Sequence, residues 1–192
     1  METEKLLIAG LIITIVSVGL VVGVSIALTP AENTNTNGGS SSTLSLSTDT
    51  DFGQTREAPD WGLLMSDGEI LQLNSLEGKF VLVDLMSLTC SACETQNSEI
   101  QSLRSAMGES VHVISLSVDI STTFQQMDEY KTDNALDWPH GLDTNSAFTY
   151  YFNLRYTPTM VLIDPDGYIR MYHEGVWTSS DVQSTISLMD RT

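Results

Sequence analysis

The chain has 192 residues and a mass of 21.0 kDa, with 8 Lys and Arg against 25 Asp and Glu and a formal net charge of −17. That length holds one domain of ordinary size plus an appendage, and the charge repels phosphate backbones and anionic headgroups, which excludes a nucleic-acid binder. Two cysteines are too few for a disulfide-dense mini-domain, and with three histidines they make a thin donor set for a structural zinc site.

Residues 6–28 carry no charge, and Thr14, Ser17 and Ser25 are their only polar side chains. At about 1.5 Å per residue this run spans roughly 35 Å, enough to cross a bilayer core. It is also longer than the roughly 7–15 apolar residues of a cleaved signal peptide. The expectation is therefore one uncleaved N-terminal transmembrane helix, a membrane anchor over residues 1–28. Lys5 and the α-amino group precede it, and no Lys or Arg follows until Arg56. The positive-inside rule then puts the N-terminus in the cytoplasm and the rest of the chain outside.

Residues 29–50 are rich in Ser, Thr, Asn and Gly and cannot bury enough apolar surface to fold. They read as a flexible linker with an r.m.s. reach of roughly 25 Å. Residues 51–192 are then the folded domain.

Within it, Ile70 to Leu73 follow the Asp67-Gly68 turn signal as a short strand. Phe80 to Met86 (FVLVDLM) is a nearly continuous apolar run, as in a strand buried on both faces. Ser91 to Met107 reads as a helix, with Ile100, Leu103 and Met107 at helical spacing and Gly108 as its stop. Val111 to Val118 is a second β-rich run. Ser121 to Tyr130 reads as a helix with Phe124, Met127 and Tyr130 on one side, and Ser146 to Phe152 as a short one. Thr159 to Ile163 and Tyr168 to Tyr172 flank the turn Asp164-Pro165-Asp166-Gly167 as a hairpin. Ser180 or Asp181 caps a last helix, where Val182, Ile186 and Met189 are apolar. This order of strands and helices predicts an α/β sandwich around a central mixed sheet. Trp61, Trp138, Trp177 and the tyrosines from Tyr150 to Tyr156 read as core or rim.

The chemistry sits at Cys90-Ser91-Ala92-Cys93, directly after the buried strand and opening a helix. One helical turn brings two such sulfurs within bonding reach. At the helix N-terminus, unpaired amides and the helix dipole favour a thiolate on Cys90, making it the attacking sulfur. Cys93, one turn in, resolves the mixed disulfide. Three other readings compete: a structural disulfide, half of a zinc site and two inert thiols. The first would constrain the unfolded chain little across so short a loop. The second lacks paired ligand spacing among His112, His140 and His173, and no metal is expected. A CxxC pair within a βαβ pattern favours a redox-active disulfide.

The segment from Val81 to Cys93 resembles the thioredoxin active-site strand and loop. Ala58-Pro59-Asp60-Trp61, Asp67-Gly68-Glu69-Ile70, Leu76-Glu77-Gly78-Lys79, Val118-Asp119 and Tyr156-Thr157-Pro158-Thr159 running into Val161 to Gly167 resemble the TlpA/ResA branch of membrane-anchored extracytoplasmic thiol–disulfide oxidoreductases. The resemblance implies a thioredoxin-like three-layer sandwich and an enzyme that reduces or exchanges disulfides in partner proteins, apocytochrome c among them. No cofactor is implied; a transmembrane electron donor is. It places Pro158 at the family's cis-proline facing the disulfide, with the Thr157 backbone offered for strand-like pairing to substrate. It also places Asp84 at the family's buried acid, where a carboxyl inside an apolar strand could relay the Cys93 proton.

Two positions depart from the branch: Thr89 stands where Trp is usual and Ala92 where Pro is common, so the direction of electron flow stays open. Glu94 and Glu99 add negative charge along the active-site helix, with Glu99 expected as a solvated face charge. A peroxiredoxin would need a Pro-x-x-x-Thr-x-x-Cys arrangement, and Met86 or Asp84 stands where its proline would be. A Sco-like copper-delivery protein would use CxxxC and a downstream His near Thr157-Pro158, and neither feature is present. The remaining alternative is a binding module of the same fold with a structural disulfide.

Overall fold

The structure is a computed structural model that describes residues 50–190. The expected anchor over residues 1–28, and all but the last residue of the expected linker over residues 29–50, lie outside the described residues. Among the described residues no helix is long and apolar enough to cross a membrane.

One mixed sheet organises the described residues. Its strands are β1 (Thr50–Glu57), β2 (Gly62–Met65), β3 (Ile70–Gln72), β4 (Phe80–Met86), β5 (Val111–Ser117), β6 (His140–Leu142), β7 (Thr159–Ile163) and β8 (Tyr168–Glu174). Their spatial order is β1-β8-β7-β4-β5-β6-β2-β3. The helices are α1 (Ser91–Met107), α2 (Phe124–Asp133), α3 (Ala147–Phe152) and α4 (Ser179–Met189).

The centre of the sheet follows from the apolar run. All seven residues of β4 are buried, because β5 pairs with it in parallel on one side and β7 antiparallel on the other while both faces are covered. Alternation then divides its side chains between two layers. Phe80 and Leu82 pack with Ile100 and Leu103 of α1 and Val182 and Ile186 of α4. Val81, Val83 and Leu85 pack on the opposite face with Phe148 of α3 and with Leu63 and Met65 of β2. The result is the expected α/β three-layer, thioredoxin-like sandwich.

Several expectations are corrected at the level of single elements. The helix expected from Ser121 starts at Phe124, because Thr123 closes a capping box with Gln126: the Gln126 amide donates to Thr123 Oγ1 (3.2 Å) and the Thr123 amide to Gln126 Oε1 (2.9 Å). Phe124 is 37% exposed, so only Met127 and Tyr130 face inward. The last helix is capped by Thr178, whose Oγ1 accepts from the Asp181 amide, rather than by Ser180 or Asp181. Trp138 and Trp177 are buried, whereas Tyr150 and Tyr156 are exposed.

Candidate active site

Cys90 is the N-cap of α1, with extended backbone angles, and it is joined to Cys93 by a disulfide with Cα atoms 5.2 Å apart. The Cys93 amide donates to Cys90 Sγ at 3.1 Å and to the Cys90 carbonyl at 3.0 Å. The first sulfur therefore shares a first-turn amide with its own carbonyl. The two cysteines differ in access: Cys90 is half-buried, while Cys93 is 1% exposed and packs with Met86 and Met127. That asymmetry suits an attacking and a resolving thiol.

Across from the disulfide, the Thr157–Pro158 peptide bond is cis, and the Thr157 carbonyl oxygen lies 3.5 Å from Cys90 Sγ. The Pro158 carbonyl is engaged by the Gly175 amide at 2.8 Å, tying this corner to β8. The chain thus brings together two segments that the sequence separates by 67 positions.

Asp84 is fully buried in the middle of β4. In register it stands between Met160 of β7 and Ser115 of β5, and Ser115 is paired in turn with His140 of β6. Met86, two residues on and on the same face, packs against Cys93, so Asp84 lies one pleat below the layer that holds the disulfide. Ser115 Oγ donates to Asp84 Oδ2 at 2.8 Å, and Trp138 Nε1 donates to Ser115 Oγ at 2.9 Å. Burial pushes the Asp84 carboxyl from 3.8 up to about 7, against the lowering effect of the Ser115 hydrogen bond.

Sequence reasoning missed the other buried polar groups around this layer. Asn97, one turn after Cys93, donates to the Tyr130 hydroxyl at 2.7 Å. Burial pushes that phenol up, opposed by the Asn97 hydrogen bond, and the Asp84 charge adds to the rise. Gln96 clamps the Trp177 backbone, donating to its carbonyl at 3.2 Å and accepting from its amide at 2.8 Å. The one available signal was two amide side chains, Gln96 and Asn97, within the apolar stripe of α1. Glu99 corrects a second expectation: it is half-buried rather than solvated, and its Oε2 accepts the Ser179 amide at 2.8 Å, at the start of α4. Among the described residues no group of three or more His, Cys, Asp or Glu converges to hold a metal ion.

The AhpC/TSA family model matches residues 55–172, which include Asp84, both cysteines and Thr157-Pro158. The chain belongs to the AhpC/TSA family. This AhpC/TSA chain is 22% identical to the Thioredoxin-like protein YneN of Bacillus subtilis over 134 residues, 69% of this chain and 78% of that protein. It is 27% identical to the Thiol-disulfide oxidoreductase ResA of Oceanobacillus iheyensis over 126 residues, 63% of this chain and 65% of that one.

Among solved structures, the thioredoxin domain of a thiol-disulfide oxidoreductase from Bacteroides vulgatus aligns with a TM-score of 0.59 at 20% identity, over 71% of this chain and 97% of that one. That likeness shows a thioredoxin fold. Within the AhpC/TSA family this member has buried Met86 packed on Cys93 where a Pro-x-x-x-Thr-x-x-Cys arrangement would need proline. An oxidised CxxC pair on this fold, in a chain related to ResA-like oxidoreductases, is an enzyme's redox site for thiol–disulfide exchange.

Proposed function

We propose that this protein reduces or exchanges disulfides in partner proteins outside the cytoplasm, held at the membrane by residues 1–28 with its N-terminus inside. The observation that carries the chemistry is the half-buried Cys90 sulfur, N-cap of α1 and facing the Thr157 carbonyl, bonded to a fully buried Cys93. The apolar run before the linker supports the location.

In the reducing direction the pair starts as a dithiol. The Cys90 thiolate attacks one sulfur of a substrate disulfide, forms a mixed disulfide and expels the other substrate sulfur as a thiolate, which takes a proton from solvent. The substrate strand lies along the Thr157 backbone, with Pro158 shaping the corner. Asp84 accepts the Cys93 proton, and the Cys93 thiolate attacks Cys90 Sγ. The internal disulfide closes and the second substrate thiolate leaves, so two electrons have passed to the substrate. A dithiol donor then reduces Cys90–Cys93, supplied across the membrane in this reading. Apocytochrome c is the substrate that the resemblance to the TlpA/ResA branch suggests. In the opposite direction Asp84 returns the proton to Cys93.

Replacing the resolving cysteine tests this. Cys93→Ser removes the second attack and should leave partner proteins trapped on Cys90, seen as adducts on a non-reducing gel that collapse with dithiothreitol. No adduct with any disulfide substrate, from a folded variant, would return the pair to a structural role. Alkaline carbonate extraction checks the anchor: the full chain should stay in the membrane pellet.

A further inference from the structure

Trp138, Ser115 and Asp84 form a line of three buried side chains drawn from three segments of the chain: the residues before β6, the middle of β5 and the middle of β4. An indole N–H can only donate, so Ser115 Oγ must accept from Trp138. The serine has one hydrogen left, and the Asp84 Oδ2 atom at 2.8 Å is its acceptor. Were the carboxyl proton on Oδ2 and aimed at Ser115 Oγ, the serine hydrogen would be stranded in the core. Asp84 Oδ1 has no hydrogen-bond partner among the described residues.

We propose that Trp138 and Ser115 act as positioning residues: a one-way hydrogen-bond line from the indole through the hydroxyl that keeps Asp84 Oδ2 an acceptor in both protonation states and confines the exchangeable proton to Oδ1. Its bearing on catalysis rests on the reading above in which Asp84 handles the Cys93 proton. The donated bond favours the ionised carboxylate, so the line opposes burial and holds the acid near its working range.

In the oxidised protein the described titratable groups on the elements around Asp84 are few. Cys93 of α1 is in the disulfide. Burial pushes the Tyr130 phenol of α2 further above neutrality. His140 of β6, beyond Ser115, is pushed down to about 4 by burial and is neutral where Asp84 titrates. His173 of β8 lies one strand beyond Met160 and stacks on Trp177. α4 turns Val182 and Ile186 toward this layer.

The test is an NMR titration of the oxidised full chain in detergent, following the Asp84 carboxyl carbon and the Trp138 indole N–H. In the wild type the indole resonance should move with the Asp84 midpoint, and Asp84→Asn should abolish that movement. Ser115→Ala should raise the midpoint by about one pH unit, the worth of one hydrogen bond to a charged group. Trp138→Phe should raise it too, because the released serine oxygen can then accept from the neutral acid.

An indole resonance blind to Asp84, or a midpoint unmoved or lowered in either variant, overturns the proposal. Where Trp138→Phe does not fold, the wild-type indole titration and Ser115→Ala decide. A separate arm follows Cys93 alkylation against pH in the reduced chain. If Asp84→Asn leaves that profile unchanged, the proton-relay role fails while the hydrogen-bond line stands or falls on the NMR alone.

Discussion

Cys90 and Cys93 are the same side chain three positions apart, and their surroundings make them different reagents. The first sits at the N-cap of α1, where its sulfur and its carbonyl share the Cys93 amide. The second is enclosed by Met86 and Met127, where a charge is poorly solvated. In the reduced protein Cys90 should therefore be the more reactive thiol and Cys93 the shielded one. Iodoacetamide labelling read by mass spectrometry at pH 7 should modify Cys90 faster than Cys93, which is 1% exposed. Equal rates, or Cys93 labelled first, would contradict this assignment of attacking and resolving sulfur. Glu94 is exposed on the first turn, so its charge is largely screened by water. Glu99 spends its charge on the Ser179 amide instead, joining α1 to the start of α4.

At the scale of elements, the strands that are continuous in sequence were legible and those defined by distant pairing were not. β4, β7 and β8 announce themselves through apolar runs and the Asp-Pro-Asp-Gly turn, and α1 through its stripe and Gly108. β2 is four residues long and β6 three, too short for alternation to register. β1 lies in the polar stretch TDFGQTRE and is a strand because β8 pairs with it. The site divides in the same way. The CxxC pair, Asp84 and Thr157-Pro158 each sit in a local pattern, while Ser115 reaches Asp84 only through the parallel register of β4 and β5, and Trp138 reaches Ser115 only beside the β5–β6 pairing.

β6 is a testable joint. It connects the β2–β3 hairpin to the rest of the sheet, and it has room for no side chain at Gly141, where an added Cβ would lie 2.6 Å from the Leu64 carbonyl oxygen. Gly141→Ala should cost about 1–3 kcal/mol in denaturant unfolding, as overpacking does. It should also raise hydrogen exchange in β2 and β3 ahead of β4. Unchanged exchange in the hairpin would mean that β6 does not hold it.

At the scale of the whole molecule, two buried titratable groups set opposite pH slopes. The Asp84 carboxyl is raised from 3.8 to about 7 by burial, against the Ser115 hydrogen bond. Its contribution to stability is fully present below pH 3.8 and is lost as pH rises through about 7. His140 is lowered from 6.5 to about 4 by burial, against its hydrogen bond to the Trp138 carbonyl. Its contribution is present above pH 6.5 and is lost as pH falls through about 4.

Between those limits the two slopes cancel in large part, each near 1.4 kcal/mol per pH unit. Asp84→Asn removes one of them. The oxidised variant should be more stable than wild type at pH 8, by up to about 4 kcal/mol, and nearly equal to it at pH 4, because the other carboxylates titrate alike in both proteins. Its stability should also climb with pH across the His140 range, where the wild type stays comparatively flat. Urea unfolding at pH 4, 6 and 8 measures all three features. A difference between the two proteins that does not grow from pH 4 to pH 8 would mean that Asp84 is ionised without penalty in its seat beneath the disulfide, and a carboxylate so content could not take up the Cys93 proton at neutral pH.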